Sequence, residues 1–250
     1  MLTPYKLRTR NLYNPSKPFR LSRSKLDLFL ECPQCFYLDR KLGVPRPKGF
    51  PFNLNSAVDT LLKSEFDTHR ANGTIHPLVK AFGLSFVPFK HKFIDTWRDS
   101  LHRGITYEVP GTNIVLTGGV DDVWVNPKTG ELVIVDYKAT SKKDAVNLDA
   151  DWQIGYKRQM EIYQWLFRKN GFKVSRTGYF VYCNGKADRA AFDGKLEFDI
   201  TLIPYKGNSH WVENAVKSAH KLLKQSKIPK PRKECEYCRY SDEKAKKLHA

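Results

Sequence analysis

Two C-x-x-C pairs stand near opposite ends of the chain, Cys32/Cys35 and Cys235/Cys238, with 200 positions between the inner cysteines (235 − 35). Each pair alone is weak. Together, flanking everything between them, they predict one four-thiolate site that ties an N-terminal helix to the C-terminal segment. Closing so long a loop is where a clip restricts the unfolded chain most. Four thiolates suit an iron–sulfur cluster or structural zinc. Five cysteines in 250 residues make no disulfide scaffold, and paired C-x-x-C spacing reads as ligation in a reducing, cytoplasmic compartment. The fifth, Cys183, sits in an apolar strand pattern and reads as a core or edge thiol.

Between the pairs the hydrophobic period changes along the chain. Helices are expected over 22–31, capped by Ser22 or Ser24, over 56–70, with Val58, Leu61, Leu62 and Phe66 inward, and over 91–102. Strands are expected over 105–109, 114–125 and 132–137. A strongly amphipathic helix follows over 153–169 and ends at Asn170-Gly171. Strands near 177–182 and 195–202 and a helix over 208–225 complete the order. This is the pattern of one α/β domain with a central mixed sheet flanked by helices. It divides into a basic arm (1–20), the domain proper (21–240) and a charged tail (241–250). No apolar run approaches the length of a membrane span, and no secretory signal is visible.

The turn Asn126-Pro127-Lys128-Thr129-Gly130 sets the register of its hairpin. If Asn126 pairs with Glu131, then Val125 faces Leu132, Val123 faces Ile134 and Asp121 faces Asp136. Two carboxylates would then lie side by side, with Lys138 leaving the same face two residues on. Ionised carboxylates that close repel unless a cation lies between them. Hard oxygen ligands suit Mg²⁺ or Mn²⁺, with the Tyr137 carbonyl as a further oxygen. A slip of one residue would bring Asp122 to Asp136 instead, and Asp122 is the reserve ligand. Charge at the end of the buried run Val133-Ile134-Val135 is costly without a purpose.

Lysine plus arginine number 43 against 26 acids, a formal charge of +17. Such an excess points to a polyanionic partner, nucleic acid first. Between Ala215 and Lys233 there are seven basic residues and no acid. Lys217, Lys221 and Lys224 recur there at helical spacing, a ridge able to track phosphates. Trp152, Tyr156 and Trp165 are candidate base-stacking side chains, with core packing favoured for Trp165.

The run Gly118-Gly119-Val120-Asp121, then Ile134-Val135-Asp136-Tyr137-Lys138, then Gln159-Met160-Glu161-Ile162-Tyr163, resembles the PD-(D/E)XK nuclease superfamily in its RecB-like branch. Residues 22–38 are similar to the opening of the four-cysteine CRISPR-associated and AddB-type iron–sulfur nucleases. The resemblance implies a restriction-endonuclease-like fold and a metal-dependent DNA nuclease acting on ends or single strands. It implies metal ligation by Asp121 and Asp136, an orienting Lys138, and DNA contacts from Gln159 and Tyr163. Where many relatives carry a metal-binding histidine on the early helix, this chain has Asp59, a further oxygen ligand. The resemblance favours a 4Fe–4S cluster at Cys32, Cys35, Cys235 and Cys238. Relatives commonly place one cysteine early and three late, so the two-plus-two arrangement keeps zinc open. Two alternatives also stand: a nucleic-acid-binding repair subunit with a vestigial site, and a module docking on a helicase or other repair or CRISPR protein.

Overall fold

The computed structural model describes residues 5–49 and 53–248. The first four residues of the basic arm and the last two of the tail lie outside that range. In chain order the elements are β1 (Phe19–Ser22), α1 (Arg23–Glu31), α2 (Pro33–Arg40), α3 (Asn53–Asn72), α4 (Pro77–Ala81), β2 (Val87–Pro88), α5 (Ile94–Arg98), β3 (Ile105–Glu108), β4 (Ile114–Gly118), β5 (Asp122–Val125), β6 (Leu132–Thr140), a 3-10 turn (Asp151–Gln153), α6 (Ile154–Lys169), β7 (Thr177–Gly185), β8 (Phe198–Lys206), α7 (Val212–Lys224) and α8 (Glu236–Leu248). The chain forms two compact α/β units.

One unit holds a five-stranded mixed sheet in the order β2-β5-β6-β7-β8. The β6–β7 pair is parallel, and the pairs on either side are antiparallel. A parallel pair needs a crossover, and α6 supplies it. Gly178 on β7 lies directly under the Met160 thioether, where any β-carbon would collide, so the glycine lets helix and sheet close. On the other face α3 packs Leu62 and Phe66 against Trp124, Val133, Val135, Tyr137 and Val181. Cys183 is a buried member of this core.

The hairpin register is the one set by the turn: Val125 pairs with Leu132, Val123 with Ile134 and Asp122 with Val135. The single strand expected over 114–125 is two strands, β4 and β5, in different sheets. The chain breaks between them because a β-carbon at Gly118 would lie 2.6 Å from the Tyr163 ring and one at Gly119 2.5 Å from Ser100, while Val120 turns its amide to the Trp97 carbonyl at 3.0 Å. The helix expected over 91–102 is only the five residues of α5. Asp99 ends it by taking the His102 amide at 2.9 Å into its side chain.

The other unit contains a three-stranded sheet in the order β1-β4-β3, with α1, α2 and α7 packed together. Cys32 ends α1 and caps α2, and Pro33 follows in the first turn of α2, where proline's missing N–H costs nothing. The basic arm is not a loose tail. Arg8 donates its amide to the Gly43 carbonyl at 2.7 Å and its guanidinium to fully buried Asp39 at 2.7 Å. Most of the stretch read as a charged tail belongs to α8.

Candidate active site and cysteine centre

β5 and β6 bring the acidic residues together. Continuing their ladder one step past Asp122 puts Asp121 opposite Asp136, and the Asp121 carboxylate accepts the Tyr137 amide at 2.8 Å. Asp136 is fully buried. It is ion-paired to Lys138 and accepts the Gln159 amide group at 2.6 Å. Burial, then the charge of Asp136, push the Asp121 carboxyl up to about 6. Burial works against the Lys138 ammonium, but the Asp136 and Asp121 charges outweigh it and hold the lysine protonated. Its ammonium also lies 4.4 Å from the centre of the Tyr156 ring.

α3 adds Asp59, whose carboxylate meets Lys63 at 2.8 Å. Lys63 also reaches Asp121 at 3.9 Å. Burial, and the nearby Asp121 charge, raise the Asp59 carboxyl despite this lysine. Lys63 is the residue that sequence reasoning missed. Its signal was the i,i+4 spacing from Asp59, which on an amphipathic helix reads as a solvated pair.

Asp122, the reserve ligand, is committed elsewhere. It is fully buried and paired with Arg70 and with Arg98 at 2.9 Å. It further accepts the Tyr137 hydroxyl at 3.0 Å and the Trp124 indole at 3.3 Å. This set saturates its oxygens and fixes the strand on which Asp121 stands. Tyr137 thus bonds both aspartates, one through its amide and one through its hydroxyl.

Gln159 and Tyr163, expected at the DNA, are buried beneath the strand. The Gln159 amide bonds the Tyr163 hydroxyl at 3.1 Å as well as Asp136. Gln159 thus holds the Asp136 carboxylate and Tyr163 accepts from Gln159, and neither side chain faces solvent. Lys217, Lys221 and Lys224 are exposed on α7, with Lys217 held by Glu213 at 2.8 Å. Trp165 is buried and Trp152 is exposed.

The donors at Asp59, Asp121 and Asp136 are all hard oxygens, and two of the three have raised proton affinity. That is the charge state a hard divalent cation relieves. Each of the three also has a lysine beside it.

In the other unit the four cysteines converge. Cys32 and Cys238 sulfurs are 3.8 Å apart, Cys35 and Cys235 3.6 Å, and Cys35 and Cys238 3.5 Å. All four lie within 4.8 Å of one another and are buried. Among the described residues this is the one group of three or more such side chains close enough to share an ion. Both pairs sit at the start of a helix, α2 and α8, where the dipole favours thiolate. Burial opposes ionisation of Cys32, but bonds from the Cys35 and Arg232 backbone bring it down to about 7, whereas burial pushes Cys35 up to about 11 and raises Cys238 as well. Arg46 reaches the Cys235 sulfur at 3.6 Å. One tetrahedral ion with bonds of about 2.3 Å spaces its four sulfurs by about 3.8 Å, close to the three separations of 3.5–3.8 Å. A four-iron cluster, with its metal atoms between the thiolates, needs them further apart.

The sequence profile of the PD-(D/E)XK nuclease superfamily matches residues 57–242. No curated protein matches the chain in sequence. A crystal structure of SSO0001 aligns with 95% of this chain and 87% of its own at 16% identity and a TM-score of 0.40, a likeness too distant to fix site or activity. Among the described residues no helix is long and apolar enough to cross a membrane.

Proposed function

We propose that this chain, which belongs to the PD-(D/E)XK nuclease superfamily, is a metal-dependent deoxyribonuclease that hydrolyses phosphodiester bonds at DNA ends or in single strands, in repair, recombination or CRISPR-type processing. The observation that carries the reading is the pairing of Asp121 with Asp136 at the end of the β5–β6 hairpin, with protonated Lys138 on the same strand.

Asp121 and Asp136 would hold Mg²⁺ or Mn²⁺, with the Tyr137 carbonyl as a further oxygen; Asp59, which is not grouped with them closely enough to share an ion directly, would join through water. Such an ion supplies charge to offset the developing phosphoryl negative charge and lowers the pKa of water. The chain's own residues do the positioning. Gln159 fixes one Asp136 oxygen, so the other is presented in one orientation. Tyr137 does the same for Asp121. Lys138 is an electrostatic and orienting group, because its flanking carboxylates keep its proton on. The basic surface of α7 and the overall charge of +17 favour a nucleic-acid substrate.

The four cysteines would hold a structural ion that joins α2 to α8. Their separations favour a single zinc over the 4Fe–4S cluster that the family resemblance suggests. One observation favours the second reading, a binding subunit with a weakened site: Lys63 stands beside two of the carboxylates that would take the metal. Cleavage of end-labelled single- and double-stranded DNA with Mg²⁺, Mn²⁺ or chelator separates the two. The nuclease reading expects metal-dependent cleavage that Asp136→Asn abolishes while DNA binding stays or tightens. Full activity in that variant, or binding without cleavage in any metal, overturns it.

A further inference from the structure

The 3-10 turn at the head of α6 holds a tryptophan out in water. Trp152 is 57% exposed, whereas Trp97, Trp124 and Trp165 are 6%, 0% and 6%. The turn that carries it is firmly built. Buried Gln153 takes the Ala150 amide at 3.0 Å and donates to the Asn147 carbonyl at 2.7 Å. The Trp152 ring meets Tyr156 edge to face, with centroids 5.4 Å apart. Tyr156 in turn lies 4.4 Å from the Lys138 ammonium. One aromatic side chain therefore separates the lysine beside Asp136 from an open indole.

Lys142 completes the arrangement, its ammonium 5.3 Å from the Trp152 ring centre. Its backbone is clamped to Asn184 on β7 by two bonds, of 2.8 and 3.0 Å. The assembly lies off the carboxyl ends of the parallel strands β6 and β7, where open α/β sheets receive ligands. Charge alone does not account for it. Lys142 and Lys143 share their connection with Asp144, Asp149 and Asp151, so what the turn offers is chiefly an aromatic face.

We infer that Trp152 is a stacking platform for an unpaired base of the substrate strand, with Lys142 swinging from the ring to the adjacent phosphate. The platform thereby selects unpaired over paired DNA. A base in a duplex has its faces covered by its neighbours and cannot use it, whereas every unpaired base has a free π-face. The location beside the scissile phosphate rests on the nuclease reading above. The stacking itself does not.

The test is binding in chelator, so that chemistry plays no part. Wild type, Trp152→Ala and Trp152→Phe are titrated with labelled oligothymidylate and with a blunt duplex of equal length, reading anisotropy and tryptophan emission. Trp152→Ala is expected to lose roughly tenfold or more in affinity for the single strand and to bind duplex as before. Bound oligothymidylate should quench part of the wild-type tryptophan emission, and Trp152→Phe should keep most of the affinity but lose that quench. Unchanged single-strand affinity in Trp152→Ala, equal loss on duplex, or a quench that persists in Trp152→Phe overturns the inference. Cleavage assays run alongside tell the two failures apart. Trp152-dependent binding without cleavage in any metal ends the nuclease reading and leaves the platform. Cleavage with no dependence on Trp152 does the reverse.

Discussion

Asp121→Asn should make the metal-free protein more stable while ending catalysis. The carboxyl is pushed from 3.8 to about 6 by burial and by Asp136. The native state therefore prefers it protonated, and ionisation works against folding. The contribution of this group to wild-type stability falls as pH rises from about 4 towards about 6 and levels off above. Linkage sets the penalty at about 3 kcal/mol at pH 7.5 and about half of that at pH 5. These are upper figures, because the side chain retains 23% exposure. Asparagine carries no charge and still offers an oxygen to the Tyr137 amide, so it should recover most of that energy. For a chain of this size the gain is on the order of 5–10 °C in melting temperature at pH 7.5, and about half as much at pH 5. The assay is calorimetric or spectroscopic melting in chelator at both pH values, then with excess Mn²⁺. The metal should raise the wild type and not the variant, reversing or erasing the gap. A variant no more stable than wild type in chelator at pH 7.5, or a gap equal at both pH values, would refute the reasoning.

Asp122→Asn should behave oppositely. Leaving Arg70 and Arg98 without their buried partner should cost about 3–5 kcal/mol, read as a lower urea midpoint, with activity lost only as folding is lost. A well-folded but inactive Asp122→Asn protein would return Asp122 to the metal. Cys235→Ser should lower both bound metal and melting temperature, since it opens the tie between α2 and α8. Elemental analysis of wild type should give about one zinc per chain and a colourless protein; a brown protein with broad visible absorbance would mean iron–sulfur. DNA affinity should fall steeply between low and moderate salt, and a flat response would mean the +17 charge serves solubility alone.

The hairpin was legible because a five-residue turn with Asn126 and Gly130 fixes which residues face each other, and a strand of period two carries that register to Asp121. The cysteine pairs were legible because two such spacings in one chain are hard to explain apart. Lys63 was hidden because a lysine four residues from an aspartate on a helix has a bland explanation, and only the fold shows Asp121 at its other side. The Asp122 network was hidden for a related reason. Arg70 and Arg98 are 52 and 24 residues away in sequence, and no local pattern marks a buried ion cluster. The length of α5 and the break after β4 were misjudged because they are set by tertiary contacts at Asp99, Gly118 and Gly119. Gln159 and Tyr163 carry the family spacing, but spacing says only that they share a helix face, not whether that face meets water.

The cysteine centre also has a consequence for how the chain is made. Its unit is assembled from three stretches, residues 5–49, 106–117 and 210–248 among those described, and its ligands come from the first and the last. A ribosome releases Cys32 and Cys35 early, then every strand of the five-stranded sheet, before Cys235 exists. The front cysteines therefore have no partner pair until Cys235 and Cys238 are made, which completes the centre. Folding of this unit is of high contact order, because its thiolates meet across 200 residues of chain. A chain broken off between the β5–β6 hairpin and Cys235 carries the acidic pair but lacks two of the four thiolates, so its cysteine centre cannot form.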